Sequence, residues 1–599
     1  MSEAIIKDIN ERIAKLSETI KKLDNSDQAV AEQLRHILSQ GLEVTNREKG
    51  EKSGAETSSV ANPAMGFNRK DLWSTAGTIV KHAVVNPAAS LKQAVGFSKD
   101  ISQVVLGKFE EPNTKGDRRF KDPTWKENPL YRRYLQAYYI WQQRLQDWVD
   151  ETDMSKEDSR RAKFIISLLT DALSPSNTLL NPEVIKRVFE TGGTSLEKGL
   201  VHLLEDIKTN GGMPSQVKQG VFKVGDNLGL SEGSVVFRNE ILELIQYKPA
   251  TEKALTTPVL IIPPQINKFF VFDLTPDKSF VQFCVKSGLQ TFIISWRNPL
   301  PEHRHWGLEQ YILATNEAVN AVQEITASDK INLVGTCSGG ITSATLAGYL
   351  AAKGDSPVNT ITQLVSVLDT NIDSDITLFA TDKALELVRK ISEKQGVLEG
   401  KDMAKAFAWL RPNDLIWNYW VNNYLLGKEP PAFDVLYWNN DTTRLPAKLH
   451  SDFIDLYKQN PLTLPGVLKI GGQAINLKQV VCDSYAVAGI NDHITLWEAC
   501  YRSSQLMGGK REFILSNSGH IQSILNPPSN LKANFYTNSE LSADPQLWKK
   551  GATFNKGSWW SHWQKWLCSR SGEQKPAAKE LGSKQHPPME AAPGLYVHD

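Results

Sequence analysis

The chain has few cysteines, almost no net charge and no long apolar run, and each shortage excludes a class of function. Only 5 of its 599 residues are cysteine, namely Cys284, Cys337, Cys482, Cys500 and Cys568. The number is odd and no C-x-x-C pair occurs, so neither a disulfide framework nor a structural zinc site is expected, and a reducing cytoplasm fits best. Sixty-eight Lys and Arg stand against 67 Asp and Glu, a formal net charge of +1. So small an excess provides no global field to gather nucleic acid, which is not expected as a partner. No run approaches the roughly 18 apolar residues of a membrane span, and the charged stretch Met1–Lys22 has no signal-peptide core. A location in the cytoplasm without a transmembrane segment is the expectation.

What is present is enough hydrophobic material, 41 % of residues, for two or more domains with a full core. Ile6, Ile9, Ile13, Leu16, Ile20, Leu23, Val30, Leu34 and Ile37 follow a 3-4 spacing, which predicts an amphipathic or coiled-coil leader. The Lys-, Glu-, Ser- and Gly-rich stretch Asn46–Ala64 reads as a flexible linker, so order is expected to begin near Met65. Residues 65–235 carry helical spacing, as in Tyr131–Val149, with Ser155 and Asn181 as cap candidates. They predict an α-helical N-terminal domain.

The period then changes. Thr257–Pro264, Gln290–Trp296, Lys330–Val334, Gln363–Leu368, Ser484–Ala488 and Glu512–Leu515 are short β-rich runs separated by helical stretches, the alternation of an α/β domain with an open, mostly parallel sheet. That domain is expected over 236–568. The interval 370–472 interrupts it with helical and aromatic sequence, where an α/β-hydrolase places a cap. The Pro-, Lys- and Ala-rich tail 569–599 reads as disordered or weakly docked.

One motif carries chemistry. Ile331–Gly340 is an apolar strand entering a glycine-flanked turn with Cys337 at its tip, the G-x-S-x-G nucleophile elbow with cysteine in place of serine. A thiol acts as nucleophile only as thiolate, so it needs a base and an electropositive setting such as a helix N-terminus. Asp492 and His520 follow in the chain order of α/β-hydrolases, each after a predicted strand. Asp369, after Leu364–Leu368, is a rival acid, and His493 is a rival base or a hydrogen-bonding neighbour. An oxyanion hole needs two backbone N–H groups: Ser338 supplies one, and Ile266 or Asn267 in the loop Pro263–Lys268 the other. An acyl-cysteine keeps the activation of an incoming acyl-CoA and can pass its acyl group downhill to a hydroxyl. The favoured chemistry is thioester in, oxoester out, if a cap excludes water.

The chain resembles the polyhydroxyalkanoate synthases. The resemblance rests on Asp117-Arg118-Arg119-Phe120 with Trp125 and Asn128–Tyr131, on Pro263–Lys268, on Gly335–Gly340, on Asn413–Tyr419, on Asn491–Ile494 and on Ser518–Ile521. Ser295–Pro299, Phe513–Ser518 and Ala592–His598 are most similar to the class II, Pseudomonas-type enzymes, which use medium-chain monomers. The leader before Met65 is longer than that class implies. By this resemblance the chain is a polymerase that transfers (R)-3-hydroxyacyl groups from CoA to a growing polyester. Cys337 carries the chain, His520 deprotonates it, and Asp492 orients His520 or helps activate the 3-hydroxyl of the next monomer. The resemblance also implies no cofactor beyond the CoA that is released, a homodimer, the surface of polyester granules as location, and a phasin-type partner. Two other readings of the same residues are a thioesterase or polyester hydrolase on this scaffold and a granule-coating scaffold without catalysis.

Overall fold

The computed structural model describes residues 82, 87–109, 116–355, 357–371 and 381–599. The heptad-like leader, the linker and the expected start of order at Met65 lie outside them.

A ten-stranded sheet forms the body. Its strands are β1 Gly233–Arg238, β2 Leu242–Tyr247, β3 Val259–Ile262, β4 Thr291–Trp296, β5 Ile331–Thr336, β6 Val358–Leu364, β7 Asp483–Gly489, β8 Arg511–Ser516, β9 Asn534–Thr537 and β10 Thr553–Lys556. They lie in the order β1-β2-β4-β3-β5-β6-β7-β8-β9-β10. The pairs from β4 to β8 are parallel, and the edge pairs are antiparallel. Every residue of β3, β4 and β5 is buried, as strands covered on both faces must be. Their side chains alternate between two cores: Leu260, Ile262 and Leu333 point to one, with helix Leu308–Thr326 behind them, while Val259, Ile261 and Val334 point to the other, which holds Trp559, Trp560 and Trp563.

Helices α1 Pro87–Val105, α2 Pro129–Glu151, α3 Lys156–Ala172, α4 Pro182–Glu190 and α5 Thr194–Thr209 precede the sheet. Asn128 and Asn181 each accept from helix N–H groups with proline next in line, and Ser155 accepts from Asp158 N, so the three start where their caps dictate. Between β6 and β7 comes the helical cap insertion: helices Asp382–Gln395, Gly400–Leu410, Asp434–Asn440 and Ala447–Gln459, with π-helical turns Asn413–Trp417 and Trp420–Leu425.

Three features differ from the sequence reading. The four antiparallel strands β1, β2, β9 and β10 went unread. β6 occupies Val358–Leu364, several residues before Gln363–Leu368, because its polar residues bond sideways: Thr360 Oγ1 and Asn359 Nδ2 each donate to Asn332 Oδ1 at 2.8 Å. The segment 569–599 is docked along the sheet. Gln574–Pro576 pairs with Lys253–Leu255. Val235 N donates to Glu590 O at 2.9 Å, Met589 N to Val235 O at 2.8 Å and Ala592 N to Gly233 O at 2.9 Å. Composition missed this because much of the docking is made by backbone groups on the open edges of β1 and of Lys253–Leu255, which need partners whatever side chains the incoming segment carries.

Candidate active site

β5 ends at Thr336 and helix α6, Ser338–Ala352, begins one residue later, leaving Cys337 alone at the junction with φ 51° and ψ −120°. That backbone conformation is costly for a residue with a side chain, on the order of 1–3 kcal/mol, and holds only where neighbours over-determine it. Glycines flanking a sharp turn are expected to supply its unusual backbone conformation, and here they do not. The positive φ falls on Cys337 itself, and the glycines are there for space: a Cβ on Gly339 would collide with the carbonyl oxygens of Ile262 and Pro263. The thiol therefore stands at the N-terminus of a buried helix, where the dipole favours an anion.

His520 opens the short helix His520–Ile524 after β8, and Asp492 follows β7. His520 Nδ1 lies 2.7 Å from Asp492 Oδ2, with the carboxylate fully enclosed. Asp492 also accepts from Ile494 N at 2.8 Å, Thr495 N at 3.0 Å and Thr495 Oγ1 at 2.7 Å. Burial works to raise the Asp492 pKa, but the charge and hydrogen bond of His520, with the Thr495 donors, outweigh it and hold the carboxyl below its usual range. Burial likewise works to lower His520. Asp492 opposes this by charge and hydrogen bond, and Cys337 adds a hydrogen bond of its own, so His520 sits well above the ordinary histidine range. With Nδ1 taken by Asp492, Nε2 is the nitrogen left for the thiol.

The rivals are placed elsewhere. Asp369 pairs with Arg502 Nε at 3.3 Å and accepts from Asn460 Nδ2 at 2.8 Å. His493 shares a cavity with Cys337, yet neither ring nitrogen has a hydrogen-bond partner, contrary to the role expected of it. Burial first, then the Arg411 charge, push it down to about 4, so it is neutral.

Ser338 is buried at the head of α6. Gln265 N donates to Ser338 Oγ at 3.2 Å, which occupies that N–H and leaves Ile266 and Asn267 as donors in the loop. Both line the same cavity as Cys337 and His520, a space of about 1650 Å³ that Phe407 and Trp438 of the cap and Asp206 of α5 also line. Among the described residues no three His, Cys, Asp or Glu side chains gather as a metal site, and no helix is long and apolar enough to cross a membrane.

Residues 116–284 match a family profile described as the poly-beta-hydroxybutyrate polymerase (PhaC) N-terminus, and 258–527 match the alpha/beta hydrolase fold. Poly(3-hydroxyalkanoate) polymerase 1 of Ectopseudomonas oleovorans is 54 % identical over 554 residues, 92 % of this chain and 99 % of that one. This chain belongs to the poly(3-hydroxyalkanoate) polymerase family. Polymerase 2 of the same organism is 50 % identical over 91 % of this chain and 97 % of its own, and the PhaC subunit of Cupriavidus necator is 37 % identical over 84 % and 87 %.

Two features of this polymerase-family site escaped the sequence reading. Thr495 donates to Asp492 and lies 3.1 Å from His520 Nδ1, gripping both members of the pair. Its signal was legible: an aspartate followed by polar residues at a strand end favours a turn in which the carboxylate collects the next N–H groups. Arg119 of the Asp-Arg-Arg-Phe motif donates to Asp171 at 3.0 Å and to Asn413 of the cap at 3.3 Å. Nothing local signals a contact across 294 residues.

Proposed function

We propose that the chain polymerises (R)-3-hydroxyacyl groups, medium-chain ones by the class II resemblance of Ser295–Pro299, Phe513–Ser518 and Ala592–His598, with Cys337 as nucleophile, His520 as base and Asp492 as its orienting acid. The carrying observation is the convergence of these three side chains at the strand ends, in a chain of this family. Cys337 Sγ, as thiolate beside imidazolium, attacks the thioester carbon of the acyl-CoA. The negative charge gathers on the carbonyl oxygen, where Ser338 N–H and an N–H of Ile266 or Asn267 receive it. The C–S bond to CoA breaks, and CoA leaves with the proton from His520 Nε2. A hydroxyl then yields its proton to His520 and attacks the acyl-cysteine. The new ester C–O bond forms as the bond to Sγ breaks, and the thiolate returns. Asp492 keeps Nδ1 protonated throughout and stabilises each imidazolium.

The cap and helical layer keep water from the acyl-cysteine. The reading extends to a homodimer at the surface of polyester granules in the cytoplasm, with a phasin-type partner, and to no cofactor. Its test is CoA release from a medium-chain (R)-3-hydroxyacyl-CoA with insoluble polyester recovered. Cys337→Ala should release no CoA above background. Free hydroxy acid as the sole product, or polymer made by Cys337→Ala, overturns the reading.

A further inference from the structure

The oxyanion loop and the segment Gly594–Asp599 meet at one side chain. The segment is seated on a built anchor: the wholly buried carboxylate of Glu243, paired with Arg238 at 2.6 Å, accepts Leu595 N and Tyr596 N at 3.0 Å each. Gly594 makes the turn with φ 82°, where a Cβ would strike Glu243. The Tyr596 ring lies between the guanidinium groups of Arg238 and Arg297, 5.7 and 5.3 Å from its centroid, its hydroxyl donates to Asn239 O at 2.8 Å, and Val597 is buried beyond it. So held, the segment brings Asp599 O within 3.3 Å of Lys268 Nζ and 3.4 Å of Asn298 Nδ2.

Lys268 ends the loop that carries Ile266 and Asn267. Its ammonium pairs with Asp441 of the cap at 2.9 Å and its carbonyl accepts Trp438 Nε1 at 2.7 Å. The side chain is only 9 % exposed, and its ammonium is shared between Asp441 and Asp599 O. The loop's other ties run to the elbow helix, Gln265 Nε2 to Thr342 at 2.9 Å, and to the cap, Thr443 N to Ile266 O at 3.1 Å. A donor loop must be set before charge develops on the substrate, because a displacement of about 1 Å can cost about a hundredfold in rate.

We propose that Lys268 is a positioning residue for the oxyanion loop and that the docked segment Gly594–Asp599 is part of its support, so that a segment remote in sequence from Cys337 sets the rate of acyl transfer. This rests on the oxyanion reading above. The measurement is kcat and KM for CoA release from a medium-chain (R)-3-hydroxyacyl-CoA, with the rate of Cys337 alkylation by iodoacetamide as a check on elbow and base. Lys268→Met and a chain lacking Leu595–Asp599 should each lower kcat about ten- to a hundredfold, leave KM within about twofold and alkylate at the wild-type rate. Lys268→Arg should recover most of the loss, and the two changes combined should cost no more than the larger alone. If the shortened chain does not fold, Tyr596→Ala at full length takes its place and should show the same loss in kcat. Additive losses, a loss confined to KM, or an unchanged kcat overturn the proposal. Ile266→Pro and Asn267→Pro, each removing one N–H, test the oxyanion reading by itself: if neither lowers kcat, that reading falls and the proposal with it. If one does while Lys268→Met does not, only the brace falls.

Discussion

Cys337 stands at the end of a strand buried along its whole length, whereas the wall facing it across the cavity is made of short helices and two π-helical turns. Behind the first wall lie two apolar cores, and at the elbow itself the backbone of Ile262 and Pro263 leaves Gly339 no room for a methyl group. Behind the second, a small apolar cluster of Val184 with Leu425 and Leu426 and a close approach of Gly199 to Tyr424 O are joined by a run of polar bonds between cap and helical layer: Arg119 to Asn413 at 3.3 Å, Tyr424 Oη to Asp206 at 2.7 Å, Gln216 Nε2 to Leu415 O at 2.8 Å and Asn423 Nδ2 to Ser215 O at 2.7 Å. Close packing tolerates one arrangement, which suits a thiol and an imidazole that must stay in line. Hydrogen bonds can be exchanged for water at a net difference of about 1 kcal/mol each, which suits a wall that admits a bulky acyl-CoA.

The largest effect belongs to the packed wall. Asp492→Asn should lower kcat about 10²- to 10⁴-fold with KM little changed, because the amide no longer holds His520 in the required tautomer; initial rates of CoA release decide it. A loss confined to KM would move Asp492 from the chemistry to binding. Next, Gly339→Ala should destabilise the fold by about 1–3 kcal/mol through overpacking, seen as a lower midpoint in urea unfolding. An unaltered midpoint would mean that the elbow is looser than its contacts imply.

For the polar wall, Tyr424→Phe leaves the Asp206 carboxylate, held also by Ser215, with one donor fewer. A local cost of about 1 kcal/mol should appear as roughly fivefold faster amide exchange over Trp420–Leu425, with KM changing more than kcat. A global loss equal to that of Gly339→Ala would erase the contrast between the walls. The smallest effect is on pH dependence. Asp492, with its pKa lowered, stabilises the fold above about pH 4 and ceases to as pH falls through its folded value. His520, with its pKa raised, contributes fully below about 6.5 and progressively less as pH rises towards its folded value. The melting-temperature gap between wild type and Asp492→Asn should therefore be widest between about pH 4 and 6.5 and narrow above it. A gap that widens with pH would mean that the pair is not ionised in the fold.

Legibility divides along the same line. The elbow, its strand and the candidate residues Cys337, Asp492 and His520 were readable because each lies in a short motif whose backbone needs are local: a strand, a turn, a helix start. The caps Ser155 and Asn181 were readable for that reason too. The edge strands β9 and β10, short and half-exposed, carry too little apolar alternation to be read.

The amino-acid sequence by itself determined the α/β alternation, the helical layer before it, the cysteine elbow and the family to which the chain belongs, since periodicity, capping and motif spacing act within a few residues. Tertiary structure alone decided that Thr495, which holds Asp492, also grips His520, that Arg119 reaches Asn413, and that Asp599 comes to Lys268. These are pairings between groups tens to hundreds of residues apart. They form because buried charges and open backbone edges must find partners, and where those partners lie is settled only when the sheet has brought its strand ends together.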